Sequence, residues 1–402
     1  MRLPRAPWQR REGMRALLAA LGAGEGDTRY VGGCVRDTLL GLAVSDVDLA
    51  TRLPPQQVLE RLGKARIKAV PTGLAHGTVT AVVAGQPVEV TTLRRDVATD
   101  GRRATIAYTD DWREDAARRD FTINALLADP ETLEVVDYFD GEADLSARRV
   151  RFIGDPMTRI AEDHLRILRF FRFFARFGAG EPDREALDAC AARANDLMAL
   201  SRERIADELT KLLALPEPVA AVRLMVGRGI LKPVLPEIEP DGVERLERLV
   251  AREAQAGAVP HPLRRLAALL PADPEKAGAV AARLRLSNRS AKRLAAAAAR
   301  GSEEARSPQA LAYAIGAEEA VDRILLGNGE PAATAALDGW QKPRLRLGGG
   351  DLIAMGLAPG PVVARTLQTV EREWAEAGFP PDGAAQRAIA RRHVDQALRE
   401  TQ

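Results

Sequence analysis

The hydrophobic period changes once along this chain, near residue 150, and that change limits the fold more than any other feature. Before it, short apolar runs alternate with polar residues, the period of a strand buried on one face. Residues 30–31, 44–49, 78–83 and 87–92 read as strands, the last two joined by Ala84-Gly85-Gln86, a hairpin signal. From about residue 155, apolar residues recur at helical spacing through 165–177, 202–214, 219–229, 242–255 and 262–330, with breaks at Pro216, Pro233 and Pro260. The pattern predicts an α+β chain, a small mixed α/β head followed by a long all-helical remainder that runs to about residue 398. Residues 1–25 read as one amphipathic helix. Residues 94–119, dense in Arg and Asp and poor in apolar side chains, read as a long mobile loop of the kind that carries function. No repeat of 20–50 residues occurs.

Composition removes several function classes. Lys and Arg total 58 against 56 for Asp and Glu, so nucleic-acid binding needs a locally basic face and cannot come from total charge. Two cysteines, Cys34 and Cys190, exclude a disulfide framework and a Cys-rich zinc site. Four histidines without an HExxH pattern exclude most His-built metal hydrolases. No apolar run approaches the ~20 residues of a membrane span, so the expected compartment is the cytoplasm, with no membrane partner.

Asp46-Val47-Asp48 lies in an alternating segment, where residues i and i+2 share a face. Two carboxylates on one face can hold one or two divalent cations. Glu89, on a nearby predicted strand with Val88 and Val90 opposite, offers a third oxygen ligand. Hard oxygen donors without His or Cys favour Mg²⁺. Such a pair suits two-metal phosphoryl transfer, in which the ions bracket the attacking and leaving oxygens. Alone, the same spacing also fits a solvated strand face.

About ten residues upstream stands Val31-Gly-Gly-Cys-Val-Arg-Asp37. Gly32-Gly33 lets the backbone approach a ligand closely, and the helix it opens presents unpaired N–H groups. Arg36 adds a cation at the same point. A phosphate cradle followed by a metal-binding pair is far more specific than either part.

Further on, Phe170, Phe173, Phe174 and Phe177 take the i, i+3, i+4, i+7 positions of a buried helix face. Asp163, Arg166, Arg169, Arg172 and Arg176 run along a stripe away from it. A carboxylate only accepts hydrogen bonds and a guanidinium only donates them. Asp163 and Arg166, one turn apart, can present acceptor beside donor. Cytosine and adenine each offer an exocyclic amine next to a ring-nitrogen acceptor, whereas uracil and guanine present the reverse. One Asp/Arg pair can therefore accept C and A and reject U and G without a nucleic-acid template, since a mismatch strands buried polar groups at ~1–3 kcal/mol each. Arg169 and Arg172 would remain for phosphates. A solvated helix face is the competing account of the stripe.

Together these segments resemble the class II tRNA nucleotidyltransferase and poly(A) polymerase family, and within it the CCA-adding enzymes. The resemblance is carried by Gly32-Gly-Cys-Val-Arg-Asp37, Asp46-Val-Asp48, His76-Gly-Thr-Val79, Glu89-Val-Thr-Thr-Leu-Arg94, Arg118-Arg-Asp-Phe-Thr-Ile-Asn-Ala125 and Glu162-Asp-His-Leu-Arg-Ile-Leu-Arg169. Ser201-Arg-Glu-Arg-Ile-Ala-Asp-Glu208 looks like the family's later helix-cap motif. It implies a nucleotidyltransferase head (1–150), a helical neck that selects the nucleotide (151–215), a helical body (216–345) and a tRNA-binding helical tail (346–402). It implies Mg²⁺ on Asp46 and Asp48, with Glu89 as a third catalytic carboxylate, and the triphosphate held at Gly32, Gly33 and Arg36. Arg119 would bind the nucleotide, Asp120 and Asn124 its ribose region, Asp163 and Arg166 the base, with Arg169 and Arg172 assisting. The partners implied are tRNA, CTP and ATP.

Two alternatives stay within the family. Poly(A) polymerases usually carry a basic-aromatic stretch after the third carboxylate strand, and Leu93-Arg-Arg-Asp-Val-Ala-Thr-Asp100 does not match it. Enzymes that add only CC tend to lack a long flexible loop, which residues 94–118 are expected to supply as the candidate moving part. A third alternative is an inactive RNA-binding module, disfavoured by the intact Asp46 and Asp48. In the helical remainder, Arg264-Arg265, Arg283, Arg285, Arg289, Lys292-Arg293 and Arg344 are candidates for gripping tRNA phosphates, or else a solvated surface.

Overall fold

A computed structural model of the chain describes residues 1–100, 103–300 and 307–400. The chain divides into two compact units, Met1–Glu208 with Arg228–Val234, and Leu209–Gly227 with Leu235–Gln402. The α+β expectation holds: the described strands, mixed with helices, lie before residue 137, and the described elements after it are helical.

The first unit carries strands β1 (Thr28–Val31), β2 (Val47–Thr51), β3 (Ala69–Gly73), β4 (Thr78–Val83), β5 (Gln86–Thr92), β6 (Arg94–Asp100), β7 (Arg103–Tyr108), β8 (Leu127–Ala128) and β9 (Val135–Val136). Its helices are α1 (Met14–Ala20), α2 (Gly33–Leu39), α3 (Pro55–Lys64), α4 (Trp112–Ala117), α5 (Gly141–Ser146), α6 (Pro156–Glu162), α7 (Arg166–Phe177) and α8 (Arg184–Ala192), and α9 (Arg202–Leu213) begins in it. Seven strands form one sheet in the order β3-β4-β5-β2-β1-β8-β9. Among the described strands only the central β2–β5 pair is parallel, with Asp48 opposite Glu89. Val47 and Leu49 point into a core on one face of β2 and are 2% and 0% exposed. Ala50 points the other way, into a cluster with Val31, Leu93, Trp112, Leu127 and Ile153. Covering both faces fixes the register, because a one-residue slip would invert every side chain of β2.

Four sequence expectations change. Residues 94–119 are not a long loop: β6 and β7 pair as a separate antiparallel ribbon and α4 follows, while 101–102 lie outside the described residues. The scarcity of apolar residues there signals a ribbon outside the large sheet rather than a lack of strand. Residues 1–25 are not one helix, since a short 3-10 turn at Pro7–Arg10 is followed by Gly13 at φ 81 before α1 starts. The expected strand 44–49 is shifted to Val47–Thr51, so Asp46 precedes it. Register would place Asp46 opposite position 33, where the neighbouring chain has turned into α2, and opposite Pro87, which has no N–H to give. The single helix expected to carry Asp163 one turn from Arg166 is two helices, α6 and α7, broken at Asp163, whose backbone is extended at φ −151, ψ 106.

In the second unit, helices Pro240–Gln255, Pro262–Leu269, Pro274–Arg283, Pro308–Ile315 and Pro361–Glu376 each start on a proline, whose fixed φ suits the first turn. The prolines read as breaks, Pro216, Pro233 and Pro260, lie between helices as expected. Arg264 and Arg265 are 4% and 1% exposed, and neither grips phosphate nor faces solvent. Glu253 accepts from both, at 2.7 and 2.8 Å, and Asp322 accepts from Arg264 at 2.8 Å and Arg293 at 2.7 Å. Sequence could not separate them from surface cations, because the paired acids lie 11 to 58 residues away. Arg283 is paired to Glu237 at 2.7 Å. Arg289, Lys292 and Arg344 are exposed. Among the described residues no helix is long and apolar enough to cross a membrane.

Candidate active site

The site is built where β1 ends and α2 begins. Gly32 has φ 70, which disfavours any side chain, and a Cβ there would sit 3.2 Å from Arg119 Nη1. Glycine therefore both makes the turn and admits the arginine. Cys34 packs fully buried behind it with its one thiol hydrogen within reach of the carbonyls of Val31 and Asp48, 3.4 and 3.6 Å from the sulfur, so that α2 packs against β2.

A cavity of about 550 Å³ opens at this point. Its walls bring together Gly32, Gly33 and Arg36 from the α2 turn and Asp46 and Asp48 from β2 and its approach. Arg119, Asp120 and Asn124 join them from the segment after α4, and Asp163, Arg166 and Arg169 from the α6–α7 break and α7. Two expected residues are not on the wall. Glu89 is exposed on β5 beside Asp48, and Arg172 points to Glu208. Phe173, read as pure core, does line the cavity and has the guanidinium carbons of Arg169 and Arg172 5.3 and 4.7 Å from its ring centroid.

The carboxylates are poorly neutralised. Burial first, and then the Glu89 carboxylate, push Asp48 up to about 6, against the pull of Arg119 and with a further push from Asp46. Asp46 is exposed and accepts from Ser45 at 2.8 Å. Among the described residues no three His, Cys, Asp or Glu side chains gather closely enough to hold an ion alone. The pair Asp46 and Asp48 nonetheless fits a divalent cation, since both line one cavity, both are hard oxygen donors, and the influence of Arg119 does not offset the burial and neighbouring carboxylates that act on Asp48.

The cations are held rather than loose. Arg36 is 5% exposed, donates to Asp37 at 2.8 Å and to Asn124 Oδ1, and sits 4.1 Å over the Phe177 ring. Asn124 donates in turn to Asp120 at 2.9 Å, and Asp120 accepts from Arg169 Nε at 2.7 Å. Glu208 takes Arg172 at 2.6 Å and lies 3.7 Å from Arg169. A continuous chain of paired groups thus runs from α2 through Asn124 and Asp120 to α7 and α9. Arg169 and Arg172, expected to be spare for phosphates, are members of it. Asp120 stays below the usual carboxylate range although burial works against it, because Arg169, Asn124 and the Phe121 N–H all favour its charged form.

Asp163 and Arg166 do not share a helix. Asp163 ends α6, and Arg166 is the first residue of α7. Both still face the cavity. Arg204 Nη2 lies 3.0 and 2.8 Å from the two Asp163 oxygens, and the Leu165 N–H donates to Oδ1 at 3.1 Å, leaving one acceptor site on Oδ2. Arg166 Nη1 donates to Glu162 at 2.6 Å and to the Arg159 carbonyl at 2.9 Å, and Nη2 to the Arg118 carbonyl at 3.2 Å. Its Nε hydrogen and one on Nη2 are left for a ligand. Arg159 is 8% exposed and binds the carbonyls of Arg118 and Arg119. Arg159, Glu162, Arg204, Glu208 and Asp115 are the supporting residues that sequence reasoning missed. The recurring Asp-x-x-Arg and Glu-x-x-x-Arg spacings were a signal only for the local pairs.

The head's fold and cavity are those of a nucleotidyltransferase: residues 28–151 match the poly A polymerase head domain, and 181–241 match a probable RNA- and SrmB-binding site of polymerase A. Full-length relatives narrow this. The mouse mitochondrial CCA tRNA nucleotidyltransferase 1 is 34% identical over 92% of this chain and 87% of its own length. The CCA-adding enzyme of Limosilactobacillus fermentum is 32% identical over 92% of this chain and 94% of its own. The Bacillus stearothermophilus CCA-adding enzyme, solved in complex with CTP, superimposes with a TM-score of 0.76 at 25% identity, covering 99% of this chain and all of that one. The chain belongs to the family of CCA-adding tRNA nucleotidyltransferases.

Proposed function

We propose that this protein adds CCA to the 3′ end of tRNA from CTP and ATP, releasing pyrophosphate, without a nucleic-acid template. The observation that carries the reading is one cavity lined by the carboxylates Asp46 and Asp48 and by the base-reading pair Asp163 and Arg166. Relatives of the family are named for CCA addition, and related structures hold CTP, ATP or tRNA.

Enzymes of this family generally use a divalent metal, and we read it here as Mg²⁺ held by Asp46 and Asp48. When bound, Mg²⁺ supplies Lewis-acid stabilisation of the charge that develops on the phosphoryl oxygens. The chain's own groups do the rest. Arg119, beside Gly32, faces the nucleotide's phosphates across from Asp48. Asp120 and Asn124 border the ribose. Asp163 Oδ2 accepts from the exocyclic amine of C or A, and Arg166 donates to the adjacent ring nitrogen. A uracil or guanine would set carbonyl against carboxylate and N–H against guanidinium. The tRNA 3′ hydroxyl then attacks the α-phosphate in line, and pyrophosphate leaves.

Residues 1–150 act as head, 151–215 as neck, and 216–345 and 346–402 as body and tail, where Arg289, Lys292 and Arg344 are exposed cations for tRNA phosphates. The compartment we assign is the cytoplasm. The test is extension of tRNA lacking CCA with labelled CTP and ATP. Growth by CCA supports the reading. Long A tails indicate a poly(A) polymerase, arrest after CC a CC-adding enzyme, and tRNA binding without growth an inactive module.

A further inference from the structure

Asp115 lies outside the cavity wall, on α4, and its side chain is 1% exposed. A carboxylate that deeply buried needs partners, and it has three. Arg118 Nε donates to Oδ1 at 2.8 Å, Arg119 Nη2 to Oδ2 at 3.2 Å, and the Arg94 backbone N–H to Oδ1 at 3.3 Å. Local spacing explains the first two: Arg118 caps α4 and Arg119 follows in the turn after it, three and four residues beyond Asp115. Burial works against its charge, yet Arg119 and Arg118 keep its carboxyl below the ordinary range. Arg119 is the consequence that matters. It lines the cavity, it lies beside Gly32, and it acts on the Asp48 carboxylate. Its guanidinium is thus bonded to Asp115 and also feels the charge of Asp48. Arg118 has a second anchor, because its carbonyl accepts from Arg159 and Arg166.

We propose that Asp115 is a positioning residue for nucleotide binding, holding Arg119 at the cavity wall and, through the Arg94 N–H, pinning the root of the β6–β7 ribbon to the same anchor. The proposal rests on the reading of Arg119 as a nucleotide-binding residue. Without the Asp115 charge, Arg119 is drawn toward Asp46 and Asp48, where it competes with the cation and no longer meets the phosphates.

The experiment uses the full chain with tRNA, CTP and Mg²⁺, and measures KM for CTP, kcat, tRNA affinity and thermal stability. Asp115→Asn should raise the CTP KM about tenfold, equivalent to ~1.4 kcal/mol, while tRNA affinity stays unchanged. Arg119→Ala should raise it as well, and Asp115→Asn added to Arg119→Ala should raise it no further. Additive effects in the double variant, or a CTP KM of wild type in folded Asp115→Asn with a raised one in Arg119→Ala, overturn the proposal alone. An unchanged KM in Arg119→Ala overturns the nucleotide role of Arg119 and the proposal with it. If Asp115→Asn does not fold, Asp115→Glu decides. It keeps the charge but displaces Arg119 by a methylene, so a raised CTP KM with wild-type tRNA affinity supports the proposal and a wild-type KM overturns it.

Discussion

Arg204 on α9 holds both carboxylate oxygens of Asp163 with one nitrogen, at 3.0 and 2.8 Å, across 41 residues of sequence. The carboxylate proposed to read the base therefore has its orientation set from a different helix. Charge-assisted hydrogen bonds of this kind are worth about 1.5–3 kcal/mol.

Arg204→Ala should loosen Asp163 and raise misincorporation of UTP and GTP about tenfold, ~1.4 kcal/mol of discrimination. Asp163→Ala should relax base choice further while changing tRNA binding little. Single-nucleotide incorporation with each of the four triphosphates measures both. Unchanged preference in Asp163→Ala would remove the protein-templating account.

Asp120 predicts an acid dependence. Its folded pKa lies below the ordinary carboxylate value, so its stabilisation is complete above the unfolded value, ~3.9, and is lost as pH falls through the lower folded value. Asp120→Asn leaves Arg169 short of a counter-charge and should cost about 1–3 kcal/mol at pH 7. The gap to wild type should narrow below pH ~4 as the wild-type carboxyl takes up a proton. Urea unfolding at neutral and acid pH reads this, and a gap that widened in acid would contradict it.

The buried ion pairs of the second unit make a prediction about stability rather than RNA. Glu253 is 2% exposed and serves Arg264 and Arg265 together. Glu253→Ala leaves two buried guanidiniums undercompensated and should cost about 3–5 kcal/mol. Thermal unfolding of the variant checks it. If Arg264 and Arg265 instead gripped tRNA, the substitution would leave stability intact and alter the salt dependence of tRNA binding.

Much of the site was legible because it is local. Gly32-Gly33, the Asp46/Asp48 pair and the Arg118-Arg119-Asp120 run each occupy a few consecutive residues, and their spacing survived even where the secondary structure did not. Asp46 fell outside its expected strand and still reached the cavity. What was illegible is what distant pairing decides. Arg204 for Asp163, Glu208 for Arg172 and Glu253 for Arg265 turn exposed-looking cations into braces, and no periodicity encodes such partners. The strands β6 and β7 escape a sequence reading for a related reason, because they pair with each other apart from the large sheet and their residues carry no regular hydrophobic alternation.

The central claim is that Asp46 and Asp48 carry the chemistry of the cavity they line. Extension of CCA-less tRNA by wild type, Asp46→Ala and Asp48→Ala, each with tRNA affinity measured alongside, tests it most directly. The account predicts CCA growth by the wild type and none by either variant, with tRNA affinity within about twofold in all three, as expected where phosphate contacts elsewhere dominate binding. Sustained nucleotide addition by Asp48→Ala would contradict it.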